Sequence, residues 1–397
     1  VSHVKVSLLR HAVPFNEALL LFSDQTQFII PSNEVLTPAT IAINQSTEFE
    51  ASLRARPIGL GPNVYFGATR GGYTSVQEYY VDGQTRAANA NDVTAHVPEY
   101  IQGEILDMAG SSTENALVVL ASGSRSTVWL YKFQFAGAEK VQSGWSKWRF
   151  EDTDTILAAE FIQSALYLLI SRSDGLYLER MDLDPGRKIG ALPCVPKLDR
   201  WTTGSDLTAS YDGAANKTTV TLPYPDDADL QVVLIENAGG YKAGTLLTPE
   251  RPASNQVRFP GNVPTSAIVV GRKFELRHTF SPFLVRVEAP GGGAVATTDG
   301  RLQVGKVKVN FADSGYFRAE VTPFRRQTYR TVFSGRIVGS ARTIIGVPTL
   351  ETGTFTFSVR SNNLNVKIEL VNDSPWPSRF LNADWEGSYT PRSRRVD

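Results

Sequence analysis

Four stretches of the chain repeat one pattern of apolar and polar positions. Ala18 opens the run Ala-Leu-Leu-Leu-Phe, a polar turn follows, and a second run covers Thr26 to Ile30. Ala116 opens Ala-Leu-Val-Val-Leu-Ala, with a partner run from Thr127 to Tyr131. Ala165 opens Ala-Leu-Tyr-Leu-Leu-Ile, then Ser-Arg-Ser-Asp-Gly, then Leu176 to Leu178. A weaker copy follows Asn63, with Val64 to Ala68, the pair Gly71-Gly72, and Ser75 to Tyr80. An unbroken apolar run of this length predicts a strand buried on both faces, and alternation predicts a half-exposed partner. Each copy therefore reads as a β-hairpin.

Counted from residues 18, 64, 116 and 165, the copies lie 46, 52 and 49 residues apart. A period near 50 with several strands per unit is that of a β-propeller blade. The alternative is a β-sandwich whose hairpins are alike. The chain enters a strand-like run directly from Val1, without Met or a signal peptide, which reads as a piece of a longer polypeptide with further blades upstream.

The pattern changes after Asp184-Pro185. A Pro-, Gly- and Lys-rich loop leads to short strands near Ser205–Tyr211, Lys217–Pro223, Gln231–Glu236 and Ser266–Phe274. Long period-two runs follow at Gly300–Phe311, Gly315–Val321, Thr354–Ser361 and Asn365–Leu370, beyond the turn at Gly291. The expected architecture is all-β, a partial β-propeller followed by a small β-barrel or sandwich and a β-sandwich. The expected domains are 1–190, 191–278 and 279–397. One helical turn or two is expected at Asn91–His96, capped by Asn91 or Asp92 and stopped by Pro98.

Composition sharpens this picture in two places. The single cysteine, Cys194, excludes an intrachain disulfide, and no apolar stretch is long enough for a transmembrane helix. The chain balances 40 Lys+Arg against 40 Asp+Glu, yet residues 276–397 carry 17 against 10, leaving 23 against 30 for residues 1–275. The basic end and acidic end suit head-to-tail stacking or nearness to a polyanion, unless the asymmetry is chance surface variation.

Catalytic motifs are absent from the sequence: it holds no GxSxG, HExxH, CxxC or Walker pattern. Gly59-Leu-Gly61 has Pro62 next and no helix behind it, so a turn is expected. His3, His11, His96 and His278 stand in separate segments and form no metal site by spacing. Glu48 with Glu50, Asp152 with Asp154, and Asp226, Asp227 and Asp229 are the candidates for a glycan-hydrolysing carboxylate pair. The first two pairs read as solvated strand faces and the triplet as a turn, whose spacing matches no full Ca²⁺ loop although it could hold the ion. The aromatic series Trp129, Tyr131, Phe133, Phe135, Trp145, Trp148 and Phe150 reads as core between blades, with sugar binding as its alternative. Arg325, Arg326 and Arg330 cluster around Tyr329, with Arg318, Arg336 and Arg342 nearby; contact with a phosphate backbone and ion pairing between subunits fit them equally.

Several segments carry a resemblance. They are Leu8 to Ile30, Arg54-Ala-Arg-Pro-Ile-Gly59 with Asn63-Val-Tyr-Phe66, Asp92 to Pro98, Gly144-Trp-Ser-Lys-Trp148, Phe280-Ser-Pro-Phe-Leu284, Gly300-Arg-Leu-Gln303 with Asn310 to Gly315, and Asp384 to Tyr389. Together they resemble the nozzle proteins, also called tail tubular protein B, of short-tailed (podovirus) bacteriophages. Family members are longer, so an upstream half is implied to be absent. The resemblance implies a homo-hexameric tube in the virion tail, below an adaptor ring (tail tubular protein A). It implies a propeller-like platform that docks tail fibres and C-terminal β domains that form the nozzle. It also implies a lumen in non-specific contact with genomic DNA, loops that gate it, and the host envelope at the distal tip. No catalytic residue or cofactor is carried over. The Arg318, Arg325, Arg326, Arg330 and Arg336 set stands as DNA-facing or interface candidates. A tail-associated polysaccharide hydrolase or carbohydrate-binding propeller is the rival expectation.

Overall fold

In the computed structural model, which describes residues 8–31, 37–38, 40–83, 85–137, 139–184, 186–288, 292–335 and 348–391, the chain is built from antiparallel sheets, with no α-helix among the described residues. The first sheet comprises β1 (His11–Phe15), β2 (Ala18–Phe22), β3 (Gln27–Pro31) and β4 (Asn44–Thr47). The second comprises β5 (Ile58–Leu60), β6 (Asn63–Arg70), β7 (Tyr73–Val81) and β8 (Ala88–Asp92). The third comprises β9 (Ile105–Ser111), β10 (Ala116–Ala121), β11 (Ser124–Ala136) and β12 (Glu139–Arg149). The fourth comprises β13 (Thr155–Ile162), β14 (Ala165–Arg172) and β15 (Gly175–Asp182). In each sheet sequence neighbours are sheet neighbours, an up-and-down meander compatible with the expected blades.

The four repeated runs are the second strands β2, β6, β10 and β14. Two of them show why the runs are unbroken. On β10, Leu117, Val119 and Ala121 pack toward the second sheet while Ala116, Val118 and Leu120 pack toward the fourth. On β6, Val64 and Phe66 face the first sheet while Tyr65 faces the third. Consecutive sheets thus stack face to face, and full burial of each Leu or Val contributes roughly 1.5–3 kcal/mol. The second and third sheets approach closely at Gly67, where an added Cβ would lie 2.6 Å from Ile105 Cδ1.

A backbone signature accompanies the repeat. The turn entering each second strand contains a residue with positive φ: Asn16 (50°), Gly61 (60°), Asn115 (48°) and Gln163 (56°). Left-handed backbone is what tight hairpins require, and Asn and Gly adopt it at least cost. The Gly59–Gly61 segment is accordingly the β5–β6 hairpin, with Leu60 opposite Asn63.

The expected helix at Asn91–His96 is instead the end of β8 followed by turns. Asn91 and Asp92 pair with Glu78 and Gln77 of β7. Asp92 accepts from the backbone N–H of Thr94 at 2.8 Å, the capping bond expected of it, but only separate turns follow, Ala95 N to Asp92 O at 3.3 Å and Val97 N to Thr94 O at 2.8 Å, before Pro98.

Contacts divide the chain into two units, Val1–Asp184 and Pro185–Asp397. The second begins with β16 (Asp199–Thr203), β17 (Thr208–Asp212), β18 (Lys217–Thr221), β19 (Leu230–Leu234), β20 (Leu246–Leu247), β21 (Glu250–Ala253), β22 (Gln256–Pro260) and β23 (Ile268–Arg272). These form two sheets, ordered β16-β23-β19-β20 and β17-β18-β22-β21. Val220, Val257 and Phe259 of one sheet meet Val232, Leu234 and Val270 of the other. This is a sandwich; each sheet ends in its own edge strands, so the described strands close no barrel.

The remaining strands are β24 (Leu276–Thr279), β25 (Val285–Glu288), β26 (Ala294–Thr297), β27 (Arg301–Ser314), β28 (Phe317–Pro323), β29 (Tyr329–Phe333), β30 (Glu351–Asn362), β31 (Val366–Asn372) and β32 (Arg379–Thr390). The sheet β24-β31-β28-β29 packs on the sheet β30-β27-β32 through Val304, Val307 and Val309 against Ala319, Val321, Ile368 and Leu370. A second sandwich results, with β25-β26 as a separate hairpin.

Candidate functional site

The arginine candidates belong to the sheet β24-β31-β28-β29, whose outward face is a lattice of charges. Glu320 on β28 stands directly opposite Glu369 on β31. Two carboxylates at such a position repel. Arg277 relieves this by donating through Nη1 to Glu369 Oε2 at 3.0 Å and to Glu320 Oε2 at 3.4 Å. Glu320 Oε1 also receives Arg318 Nε at 2.7 Å and Arg330 Nε at 3.0 Å. Glu369 Oε1 receives Lys367 Nζ and Thr279 Oγ1, both at 2.9 Å. Burial on its own raises the Glu320 and Glu369 pKa values. Hydrogen bonds from their cationic partners outweigh it, led by Arg318 for Glu320 and Lys367 for Glu369, and both carboxyls end below their ordinary value.

The candidates therefore separate. Arg318 is a buried cation held by Glu320, Asp373 and Glu275. Arg330 is exposed but bonded to Glu320. Arg325 and Arg326 lie in the exposed β28–β29 turn and make no ion pair among the described residues. Arg336 and Arg342 lie outside the described residues, as do the basic tail residues Arg392, Arg394 and Arg395 and also His3 and Gly291. Sequence reasoning missed Glu320 and Glu369. The alternation Arg318-x-Glu320 on one strand face was the available signal.

The carboxylates weighed for hydrolysis are dispersed. Asp226 is buried and receives Arg272 Nε at 2.7 Å and Arg200 Nη1 at 3.3 Å. Its Oδ1 also accepts the Ala228 N–H at 3.0 Å. Asp227 is exposed, and Asp229 pairs with Lys273 at 2.9 Å. Asp154 is buried against the fork of Arg172, at 3.0 and 3.1 Å, whereas Asp152 is exposed. Neither this pair nor Glu48/Glu50 lies on a strand: Asp152 and Asp154 precede β13, and Glu48 and Glu50 follow β4. Asp226 is an anchor for two arginines, not one half of an accessible acid–base pair. No cluster of three His, Cys, Asp or Glu side chains suited to a metal occurs among the described residues.

The aromatic series is packing. Trp129, Tyr131 and Phe133 belong to the core between the second and third sheets, and Trp148 and Phe150 pack on the next core. Trp129 and Trp145 spend their indole N–H groups on the carbonyls of Tyr100 and Val93, at 3.0 and 2.9 Å. Within this core lies a buried polar knot. Glu78 Oε1 accepts Tyr65 Oη at 2.5 Å and Asn63 Nδ2 at 2.7 Å, and Lys140 Nζ reaches both carboxylate oxygens. The ammonium sits 5.5–5.8 Å from the ring centroids of Tyr65, Tyr131, Phe133 and Phe135. Burial, then the nearby Glu78 charge, raises the Tyr65 phenol far above its ordinary value, which keeps it a donor. His11 bonds the Leu53 carbonyl at 2.9 Å, His278 packs on the Phe280 ring, and His96 is exposed.

Comparison with known proteins places the chain in a family. The family model described as bacteriophage nozzle protein matches residues 1–396. The tail tubular protein gp12 of Escherichia phage T7 is 29% identical over 401 residues, covering 100% of this chain and 50% of that protein. The chain thus spans half the length of the curated relative it matches. Among solved structures, the AfRom2 CNH domain aligns at 9% identity and a TM-score of 0.28, covering 68% of this chain and 95% of that one. PorZ, a bacterial surface component of the type-IX secretion system of Porphyromonas gingivalis, aligns at 12% identity and a TM-score of 0.26, covering 76% of this chain and 40% of that one. Likenesses that slight carry no argument about fold or function.

Proposed function

The chain belongs to the bacteriophage nozzle protein family and is a structural component of the virion tail; from that membership we propose that six copies of the protein close into a tube through which genomic DNA leaves the particle. Residues 1–190 act as a propeller-like platform that docks tail fibres. Residues 191–278 form an intervening β domain, and residues 279–397 form the nozzle wall. The ring sits below the adaptor ring, the duplex slides past with non-specific contacts, and the distal tip meets the host envelope.

One observation supports the reading most. The meander sheets of residues 8–184 stack face to face, and the fourth still presents Leu176, Leu178 and Ile162 to solvent at 66%, 70% and 57% exposure. A stack built this way is stable where neighbours cover its faces, which suits a propeller and a closed assembly better than a free monomer. The role proposed is mechanical, and it asks for no catalytic residue.

The test is electron microscopy of the protein mixed with its adaptor ring. The expected result is a sixfold ring with a lumen wide enough for duplex DNA. A protein that stays monomeric with the adaptor, or forms a ring too narrow for a duplex, would remove the reading.

A further inference from the structure

One end of the C-terminal sandwich brings exposed apolar side chains and cations together on two joined turns. The β28–β29 turn carries Phe324, 65% exposed, followed by Arg325 and Arg326. Beside it the turn Asn363–Asn365 carries Leu364, 56% exposed. The two turns are joined, because Phe324 N donates to Asn365 O at 2.8 Å. Tyr329 fastens the base of the hairpin by donating to the Ser358 and Val359 carbonyls at 3.0 and 2.7 Å. Arg360 is exposed next to that phenol, close enough for its charge to act on it. Arg326 N closes the turn on Pro323 O at 3.0 Å. The tip is thus held in shape before any partner arrives.

Charge sets the tip apart from the other arginines of its sheet. Arg277, Arg318 and Arg330 on the same sheet all bond to carboxylates. Arg325, Arg326 and Arg360 make no ion pair among the described residues, and no acidic residue occurs in 321–333 or 352–368. The tip therefore joins two exposed apolar side chains to three uncompensated cations. Cations alone would suit a duplex backbone. An exposed Phe and Leu add nothing to a conduit past which DNA must slide, but they match the acyl boundary beneath anionic headgroups.

We propose that this tip docks on a membrane surface bearing anionic phosphate headgroups, with Phe324 and Leu364 entering the interface and Arg325, Arg326 and Arg360 meeting the phosphates. The proposal rests on the reading of residues 279–397 as the wall of a nozzle whose end meets the host envelope, and it names the chemistry of that contact. Six copies on one ring multiply a weak contact through effective concentration.

The experiment is co-sedimentation of the 397-residue chain with phosphatidylcholine vesicles, with and without phosphatidylglycerol. A parallel arm measures binding to a short DNA duplex. The protein is expected to bind the phosphatidylglycerol vesicles and to release as salt rises. Changing Arg325, Arg326 and Arg360 together to Gln is expected to weaken binding about a hundredfold, since each cation near an anionic surface contributes roughly fivefold. The pair Phe324→Ser and Leu364→Ser is expected to weaken it at least about tenfold. All five side chains are exposed, and circular dichroism checks that the variants fold. Absence of binding to anionic vesicles, variants that bind as the parent does, or an arginine-dependent preference for DNA over vesicles would each overturn the proposal. Ring formation, scored by electron microscopy on the same preparations, reports on the tail-tube reading alone, so the two can fail separately.

Discussion

Lys140 Nζ lies 2.6 and 2.5 Å from the two carboxylate oxygens of Glu78, across an interface between sheets and 62 residues along the chain. Glu78 is 8% exposed in its side chain and Lys140 20%. Leaving one of two buried partners alone is far costlier than removing both charges, because the survivor keeps its desolvation cost without its attraction. Lys140→Met is therefore expected to destabilise the first unit by about 3–5 kcal/mol. Adding Glu78→Gln, which still accepts from Tyr65 and Asn63, is expected to recover most of that loss. Urea unfolding followed by tryptophan fluorescence measures both. Equal losses in the single and double variants would show that the pair contributes little.

The carboxylates of the second sandwich set its response to acid. Glu320 and Glu369 have pKa values below the ordinary 4.5. A carboxylate with a lowered folded-state pKa stabilises the protein above its unfolded value, and that contribution disappears as pH falls through the folded value. Stability of this region is thus expected to be flat above about pH 5 and to fall in the window below 4.5. Glu320→Gln with Glu369→Gln should flatten the fall. Hydrogen exchange of β28 and β31 against pH is the measurement, and an unchanged slope in the double variant would contradict the assignment.

Gln163 occupies the left-handed position that Gly61 fills in the second sheet, with φ values of 56° and 60°. A non-glycine residue there costs roughly 1–2 kcal/mol, partly offset by the lower entropy of its unfolded chain. Gln163→Gly is expected to raise stability by up to about 1 kcal/mol, read as a shift of the denaturant midpoint. A loss of stability would mean that the Gln side chain contributes more than its backbone costs.

Burial pushes the Cys194 thiol up to about 11, with only slight relief from Lys197. Thiolate is the reactive form, and its fraction at neutral pH is negligible. Thiol reagents are expected to leave the folded protein unlabelled at pH 8 and to label it fully in denaturant. Rapid labelling of the folded protein would mean that the loop around Leu192 and Pro193 opens.

The sequence made the repeat legible because β6 and β10 are buried on both faces, so nothing interrupts their apolar runs; β14 keeps an apolar run although it buries Leu166, Leu168 and Ile170 on one face and only half-buries Tyr167 and Leu169 on the other. The half-exposed strands were harder to read. Ala88–Asp92 reads Ala-Asn-Ala-Asn-Asp, and its strand character comes from pairing with β7, a tertiary effect that local propensity does not encode. The same limit hid the charge lattice. Arg277 lies 43 and 92 residues from its partners Glu320 and Glu369, joined to them only by sheet register. The arginine cluster was visible as composition, but which of its members keep a free charge depends on carboxylates that the chain brings in from elsewhere.

The face-to-face stack has a consequence for how such a chain can change over time. The strands β6 and β10 are confined by cores on two sides, so their residues have little room to vary. The turns at Asn16, Gly61, Asn115 and Gln163 lie outside those cores, and among the described residues each core joins one sheet of this unit to the next. A loop between strands can lengthen or exchange its residues without disturbing the packing of a sheet two steps away. The frame can stay constant while the surface it carries diversifies.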